Sequence, residues 1–600
     1  MLPAGACFIL ILVTASLDLW PHTVAVQNTV PDTSVLSEPK LKSPGDDEAL
    51  ISVWCQPEQV HISCGDTSSD MVIMWATIGQ CDTHVTFSDK PWNMSLKVEA
   101  QTVEMKAKLD KSLKYIHRAV LKNLLPSSNY FFRLVTKNGF GTKPIYFKTL
   151  PAMNSTSKVT FLVSNDLDIE LDRSSISKIV TEVSSGGISG FVYSGDLESK
   201  LTPPEGQKDS VFLSNIEQIA AYHPFMIVPS KKQNSGVSPL GGHYLYRHMF
   251  SMPNTLWPMP QDKMWYSFDA GLVHFISYST EVLMSYNTSL SKAQQDWLVQ
   301  DLTEANKRRA QTPWIVVFGS DPMYCACGNP DTDDCARNSS VIKHGLEDMF
   351  YVFGVDLVVE SAHKCYERSW PKYKGVRTNL EASYNQPRAP VEVVLGLRSE
   401  SETHEPDSSK NSSVPESPGW SAFHLEKVEA GSYGRLTVMN STHLKWELVS
   451  AEHPEPLDAF VIVQETHGNF NLANLPHNVS HQINQTIIAQ GGKPGTYDFI
   501  RNVTGDGNSL SGEGWSQYSV WLGLGAVALI LTIVLGMVAV RSCVKRRRRH
   551  RRWREDDSRD GAAGGFYSVG SGSDSEDDND FEIDVYDKAN KQSSKLLTSY

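Results

Sequence analysis

At 600 residues the chain is long enough for two or three domains with sizeable cores. A net charge of −13 is mild for that length, hides a strong local split near the C-terminus, and does not suggest a nucleic-acid partner. With only a fifth of its residues charged, the chain is also not disordered throughout.

The N-terminus carries an apolar run from Ala4 to about Ala15. That length suits a signal-peptide core better than a membrane span, so residues 1–26 are expected to be a signal peptide, although no Lys or Arg precedes the run. Residues 27–52 are polar and Pro/Ser-containing and read as a linker. Between 53 and 150, short apolar or alternating runs recur between turn residues. Gln59-Val60-His61-Ile62, Met71-Val72-Ile73-Met74-Trp75 and Tyr130-Phe131-Phe132-Arg133-Leu134-Val135 predict a small β-sandwich. Leu124-Leu125-Pro126-Ser127-Ser128-Asn129-Tyr130 resembles the turn and strand start of a fibronectin-type domain.

From 158 to 388 strands alternate with helical spacing. Val159–Val163, Gly190–Tyr193, Phe225–Val228 and Trp314–Phe318 predict buried strands, the first two ending in acidic loops, and Ser175–Val183 predicts a helix. This is α/β architecture, with functional groups expected where the strands end. Residues 389–465 add strands such as Arg435–Val438 and Leu444–Leu448; the polar insert Ser399–Pro418 reads as a loop, and 466–518 as a glycosylated stalk.

Val520 to Val540 contains no charge and covers roughly 30 Å as a helix, one bilayer core. Residues 519–540 are therefore expected to form a single transmembrane helix, with Tyr518 and Trp521 at its outer edge. Arg and Lys residues from Arg541 to Arg554 follow at once and place 541–600 in the cytoplasm, against anionic lipid. Nine N-glycosylation sequons begin at Asn93, Asn154, Asn287, Asn338, Asn411, Asn440, Asn478, Asn484 and Asn502, all before the span. The expected topology is type I, at the plasma membrane or in secretory and endosomal membranes, with the ectodomain outside or in a lumen. Seven cysteines between the signal peptide and the span allow up to three disulfides and one odd thiol, with connectivity left open; Cys543, just inside the membrane, is a palmitoylation candidate. In the tail, Ser573 and Ser575 each precede an acid by three residues, as an acidophilic kinase requires; the cluster resembles signals read by sorting adaptors.

Tyr366-Glu367-Arg368-Ser369-Trp370-Pro371, Trp265-Tyr266-Ser267 and Pro322-Met323-Tyr324-Cys325 resemble the purple acid phosphatases, a family of calcineurin-like metallophosphoesterases. The resemblance spans roughly residues 53 to 465. It implies a fibronectin-like domain followed by a four-layer α/β sandwich that holds iron with a second iron, zinc or manganese. It also supplies a ligand pattern. In Asn165-Asp166-Leu167-Asp168 the ligand-type Asp166 stands, and in Gly195-Asp196-Leu197-Glu198-Ser199 the bridging Asp196 stands, but Ser199 replaces the tyrosinate that gives the purple colour. Lys231 and Lys232 replace the asparagine ligand and the catalytic histidine. Ser320 replaces a histidine, and Ala362 and Lys364 replace the two histidines of the last motif, with His363 between them in the wrong phase.

Two carboxylates of a seven-ligand set remain, so no cofactor is expected, with Asp166 and Asp196 the residual metal candidates. Lys231 and Lys364 are charge substitutes that pair with those carboxylates or, equally, point to solvent. The sequence thus predicts a membrane glycoprotein with an inactive phosphatase-like ectodomain that serves as receptor, adhesion module or scaffold for a protein or anionic ligand. Its rival is an acid phosphatase with reorganised metal binding through Asp166, Asp168, Asp196, Glu198 and His363. Other histidines, including His61, His117 and His274, lack metal-ligand spacing and are expected to be structural or superficial.

Overall fold

A computed structural model describes residues 53–494, except 107–112, 138–140, 166–172, 196, 198–210, 230–242, 285–287, 326–333, 363–364, 380, 397–417, 427, 430 and 451. The signal peptide, the linker, the apolar run 519–540, the tail with Cys543, Ser573 and Ser575, and nearly all of the insert 399–418 lie outside the described residues. Among the described residues no helix is long and apolar enough to cross a membrane.

The N-terminal part is a sandwich of eight strands: β1 (Glu58–Cys64), β2 (Met71–Thr77), β3 (Thr83–Ser88), β4 (Leu96–Glu99), β5 (Gln101–Lys106), β6 (Leu113–Leu121), β7 (Asn129–Thr136) and β8 (Ile145–Lys148). They form two antiparallel sheets, ordered β1-β2-β6-β5 and β4-β3-β7-β8. Ile62, Ile73, Trp75, Val85, Phe132 and Leu134 fill the space between them. A Cys55–Cys81 disulfide closes its edge.

The second part holds β9 (Val159–Ser164), β10 (Gly190–Ser194), β11 (Phe225–Val228), β12 (Tyr266–Ala270), β13 (Val273–Ser277), β14 (Trp314–Gly319), β15 (Leu357–Ala362), β16 (Tyr366–Ser369), the short β17 (Lys372–Tyr373) and β18 (Val376–Arg377), β19 (Val391–Gly396), β20 (Ser421–Leu425), β21 (Tyr433–Val438), β22 (His443–Val449) and β23 (Asp458–Val463). One sheet runs β11-β10-β9-β21-β22-β23 and the other β12-β13-β14-β15-β19-β16-β20. β9, β10 and β11 are parallel, as are β13, β14, β15 and β19. These strands are apolar over most of their length because both faces are covered.

Alternation assigns the faces. On β14, Trp314, Val316 and Phe318 enter the core between the two sheets, while Ile315 and Val317 face the helical layer outside. That layer contains the helices Thr288–Lys307 and Asp334–Val352, the latter broken at His344–Gly345. Helices Arg173–Ser184 and Val211–Ala220 accompany the first sheet, and Phe212 meets Tyr193 of β10 edge-on at 5.4 Å.

One sequence expectation needs correcting here. The stretch assigned to a stalk contains a helix, His477–Ala489, whose Val479, Ile483 and Ile487 are buried in the outer core of the second sheet. Their spacing of four puts all three on one face, so burial outweighs the polar character of the rest of the segment.

Candidate functional site

The strands β10, β14 and β15 end close together, and of the motif positions Ser320 and Ala362 are described there. Ser361 at the end of β15 donates through Oγ to Ser194 at the end of β10, and its Oγ lies 2.8 Å from the Ser194 Oγ. Ser194 Oγ in turn donates to the Gly319 carbonyl, 3.0 Å away. These buried hydroxyl contacts stitch the two sheets together at the cleft floor. Gly319 is required here, since a Cβ would fall 2.4 Å from the Tyr278 hydroxyl oxygen.

Ser320 follows directly. It is buried, and its hydroxyl lies 2.5 Å from Thr280 Oγ1 and 3.3 Å from Asp321 Oδ2; Thr280 also donates to Asp321. The hydroxyl is therefore engaged by neighbours. Ala362 closes β15 and brings no donor atom. Neither residue fits the imidazole-bearing metal site that the family pattern assigns to these positions. Asp166, Asp168, Asp196, Glu198, Ser199, Lys231, Lys232, His363 and Lys364 lie outside the described residues.

Behind this edge is a buried polar layer that the motif reading missed. Glu360, fully buried on β15, accepts from the Tyr278 hydroxyl at 2.7 Å and from the Met323 N–H at 2.9 Å. Burial, reinforced by Glu392, raises its pKa to about 8. Glu392 is held by Lys372 in a buried ion pair. Tyr324 donates to Glu347, and its ring carries Lys343 Nζ at 3.8 Å and Lys372 Nζ at 4.0 Å from the centroid. Lys374 pairs with Asp348 at 2.6 Å and approaches Glu347 at 3.6 Å. Lys372 and Lys374 pair with Glu392 and Asp348, whereas Glu360 has no cation of its own among the described contacts and its buried carboxyl holds its proton more tightly than usual. The signal in the sequence was a single acid inside the apolar run Leu357-Val358-Val359-Glu360.

A second polar cluster lines a crevice of about 350 Å³ between the β-sandwich and the phosphatase-like part. Buried His274 on β13 bridges Asp269 at 2.7 Å and Asp301 at 2.9 Å. Arg308 also holds Asp269, at 2.7 Å, and Ser267 donates to Asp301, at 2.7 Å. Burial opposes the charge on His274, but the two carboxylates outweigh it and hold its pKa at about 9. His117 is buried between Thr77 and Thr102, and desolvation lowers its pKa to about 4. Both fit the structural role expected for the scattered histidines.

Four sequon asparagines, Asn93, Asn154, Asn440 and Asn478, are exposed, whereas Asn484 is half-buried on the last helix. Asn338 lies on the helix Asp334–Val352; Asn287, Asn411 and Asn502 lie outside the described residues. Cys325 and Cys365 are disulfide-bonded, and Cys64 is a buried free thiol.

The fold of a β-sandwich followed by a two-sheet α/β unit is that of the metallophosphoesterases preceded by a purple acid phosphatase N-terminal domain. Residues 57–149 match the family model for the purple acid phosphatase N-terminal domain, and residues 389–459 match that for the iron/zinc purple acid phosphatase-like protein C. Acid phosphatase type 7 of Danio rerio is 31% identical over 444 residues, covering 70% of this chain and 94% of that protein. The Homo sapiens protein of the same name is 31% identical over 414 residues, covering 66% and 87%. A purple acid phosphatase from yellow lupin seeds superposes with a TM-score of 0.55 at 20% identity, over 68% of this chain and 74% of its own, and so shares the fold. The chain belongs to the purple acid phosphatase family.

Membership overturns one expectation. The sequence reading anticipated no cofactor, but the matched C-terminal model is that of an iron/zinc phosphatase, and the family binds iron with iron, zinc or manganese. Counting lost ligands position by position treated each loss as independent.

Proposed function

We propose that this chain is a membrane-anchored glycoprotein whose purple acid phosphatase ectodomain binds an anionic ligand or a protein partner and does not turn over phosphate monoesters as its relatives' name implies. The observation that carries this reading is Ser320. Where the family pattern places an imidazole, the chain has a hydroxyl that is buried and bound to Thr280 and Asp321. A serine so engaged neither ligates strongly nor supplies a proton near neutral pH. Lys231 and Lys232, in place of an asparagine and a catalytic histidine, extend the loss to the leaving-group side.

The rival reading is an acid phosphatase with a reorganised site built from Asp166, Asp168, Asp196, Glu198 and His363. It is favoured by the name of the relatives, acid phosphatase type 7, one of which this chain matches over 94% of its length. The test is hydrolysis of an aryl phosphate by the full-length protein in detergent, from pH 4 to 7, with iron, zinc or manganese supplied. A rate equal to the buffer blank supports binding without turnover. Turnover of roughly 1–1000 per second, abolished by Asp196→Ala, establishes the phosphatase instead.

A further inference from the structure

The β-sandwich is joined to the phosphatase domain by a short row of hydrogen bonds along β1. Ser63 Oγ donates to the Ser251 carbonyl at 2.6 Å, Arg118 Nε to Ser251 Oγ at 2.8 Å, and the Asn254 N–H to Asp66 at 2.8 Å. At the centre of the row sits His61, buried, with its ring 4.7 Å from that of Phe250.

The seat of this ring is unusual. Nδ1 lies 2.7 Å from the Gln59 carbonyl oxygen, and Nε2 lies 2.7 Å from the Met249 carbonyl oxygen in the other domain. Both partners are acceptors. A neutral imidazole has one N–H, so it bonds one carbonyl and turns a lone pair on the other. An imidazolium would bond both, but it would be a charge in a buried seat with no carboxylate against it. Neither protonation state is fully compensated while the joint is closed.

We propose that His61 is an acid release for the joint between the β-sandwich and the phosphatase domain, in which a proton taken up by the unseated ring favours the open form.

Desolvation lowers the pKa of the seated ring below 6.5, and the two carbonyls offset only part of that. A histidine whose folded pKa is depressed contributes stability above its unfolded pKa, which is lost as pH falls through the folded value. The neutral ring is therefore secure at the pH of a cell surface, and the joint weakens as the surroundings acidify below about 6.5.

His248, next to Met249 and with its pKa also lowered by burial, would act in the same sense and is separated by its own variant; the remaining charged groups at the joint do not produce this dependence. Glu217, on the helix Val211–Ala220, accepts from the Gln59 N–H at 3.1 Å; burial raises its pKa, so its proton uptake strengthens the folded form on acidification. Arg118 keeps its charge across this range, and the Cys64 thiol, pushed up to about 12, stays neutral. Asp66 is the remaining carboxylate in the row.

The test is hydrogen–deuterium exchange of the full-length protein in detergent, read on peptides covering 58–64 and 249–254 between pH 7.5 and 5.0 and corrected for intrinsic exchange. Wild type is expected to lose protection below pH 6.5, approaching tenfold per pH unit for one proton per opening. His61→Gln and His61→Phe, the latter filling the seat beside Phe250, are expected to be flat over the same range. Asp66→Asn is expected to keep the wild-type slope, Glu217→Gln to keep or steepen it, and His248→Gln to leave it in place, which assigns the effect to His61 even if both His61 variants fail to fold. A flat wild-type profile, protection that rises on acidification, or a slope that persists in a folded His61 variant or vanishes in Glu217→Gln, Asp66→Asn or His248→Gln would overturn the proposal.

Discussion

Replacing His274 by Gln removes a charge that two carboxylates were placed to hold. Asp269 and Asp301 would then face each other with only Arg308 and Ser267 as partners. A folded pKa of about 9 against the ordinary 6.5 corresponds to about 3 kcal/mol of stabilisation. Because the folded value is raised, that stabilisation is fully present below pH 6.5 and is lost as pH rises through 9. In a unit of this size about 3 kcal/mol moves Tm by roughly 3–4 °C. The assay is thermal melting of wild type and His274→Gln at pH 6.0 and pH 9.5. The variant should melt lower at pH 6.0, and the gap should shrink markedly at pH 9.5. An equal gap at both values would show that the ring acts by shape alone and would falsify the electrostatic account.

Two further outcomes are expected. Lys372→Met should cost about 3–5 kcal/mol by stranding Glu392 in the core, and adding Glu392→Leu should restore most of it, checked by denaturant titration; equal stability of the single and double variants would remove the ion pair from the account. Cys55→Ser with Cys81→Ser opens a loop of 26 residues' separation and should cost about 3 kcal/mol in the same titration, with no loss implying that the sandwich edge is held by its ladder alone.

The strands of the α/β unit were legible because each is a short apolar run bounded by turns. Val159–Val163, Gly190–Tyr193, Phe225–Val228 and Trp314–Phe318 all became core strands. Their pairing was not legible. β21 joins β9 across some 270 residues of sequence, and no local pattern encodes a partner that distant. Of the motif positions, Ser320 and Ala362 fall where strand-end reasoning placed them, at the ends of β14 and β15. The polar layer of Glu360, Glu392 and Lys372 escaped because an acid inside an apolar run marks a buried charge without naming its partner. Only the register of β15 beside β19 turns Glu360 and Glu392 inward together, with Lys372 of β17 meeting Glu392 there. His61 escaped for the related reason that its second carbonyl belongs to a residue 188 positions away. The cofactor expectation was overturned by something outside the motif positions, the match to an iron/zinc purple acid phosphatase-like C-terminal model.

The helix His477–Ala489 also decides how the domain responds to force. It is the last described element before the chain runs on toward residue 520, and it is wedged into the outer core through Val479, Ile483 and Ile487. Tension that reaches this helix from its C-terminal side meets buried anchors. It loads three buried side chains in succession, peeling one helical turn at a time from the layer that also packs Leu346 and Phe350. The molecule has a built-in yield point at that helix, and its extension under load should begin there while both sheets remain intact.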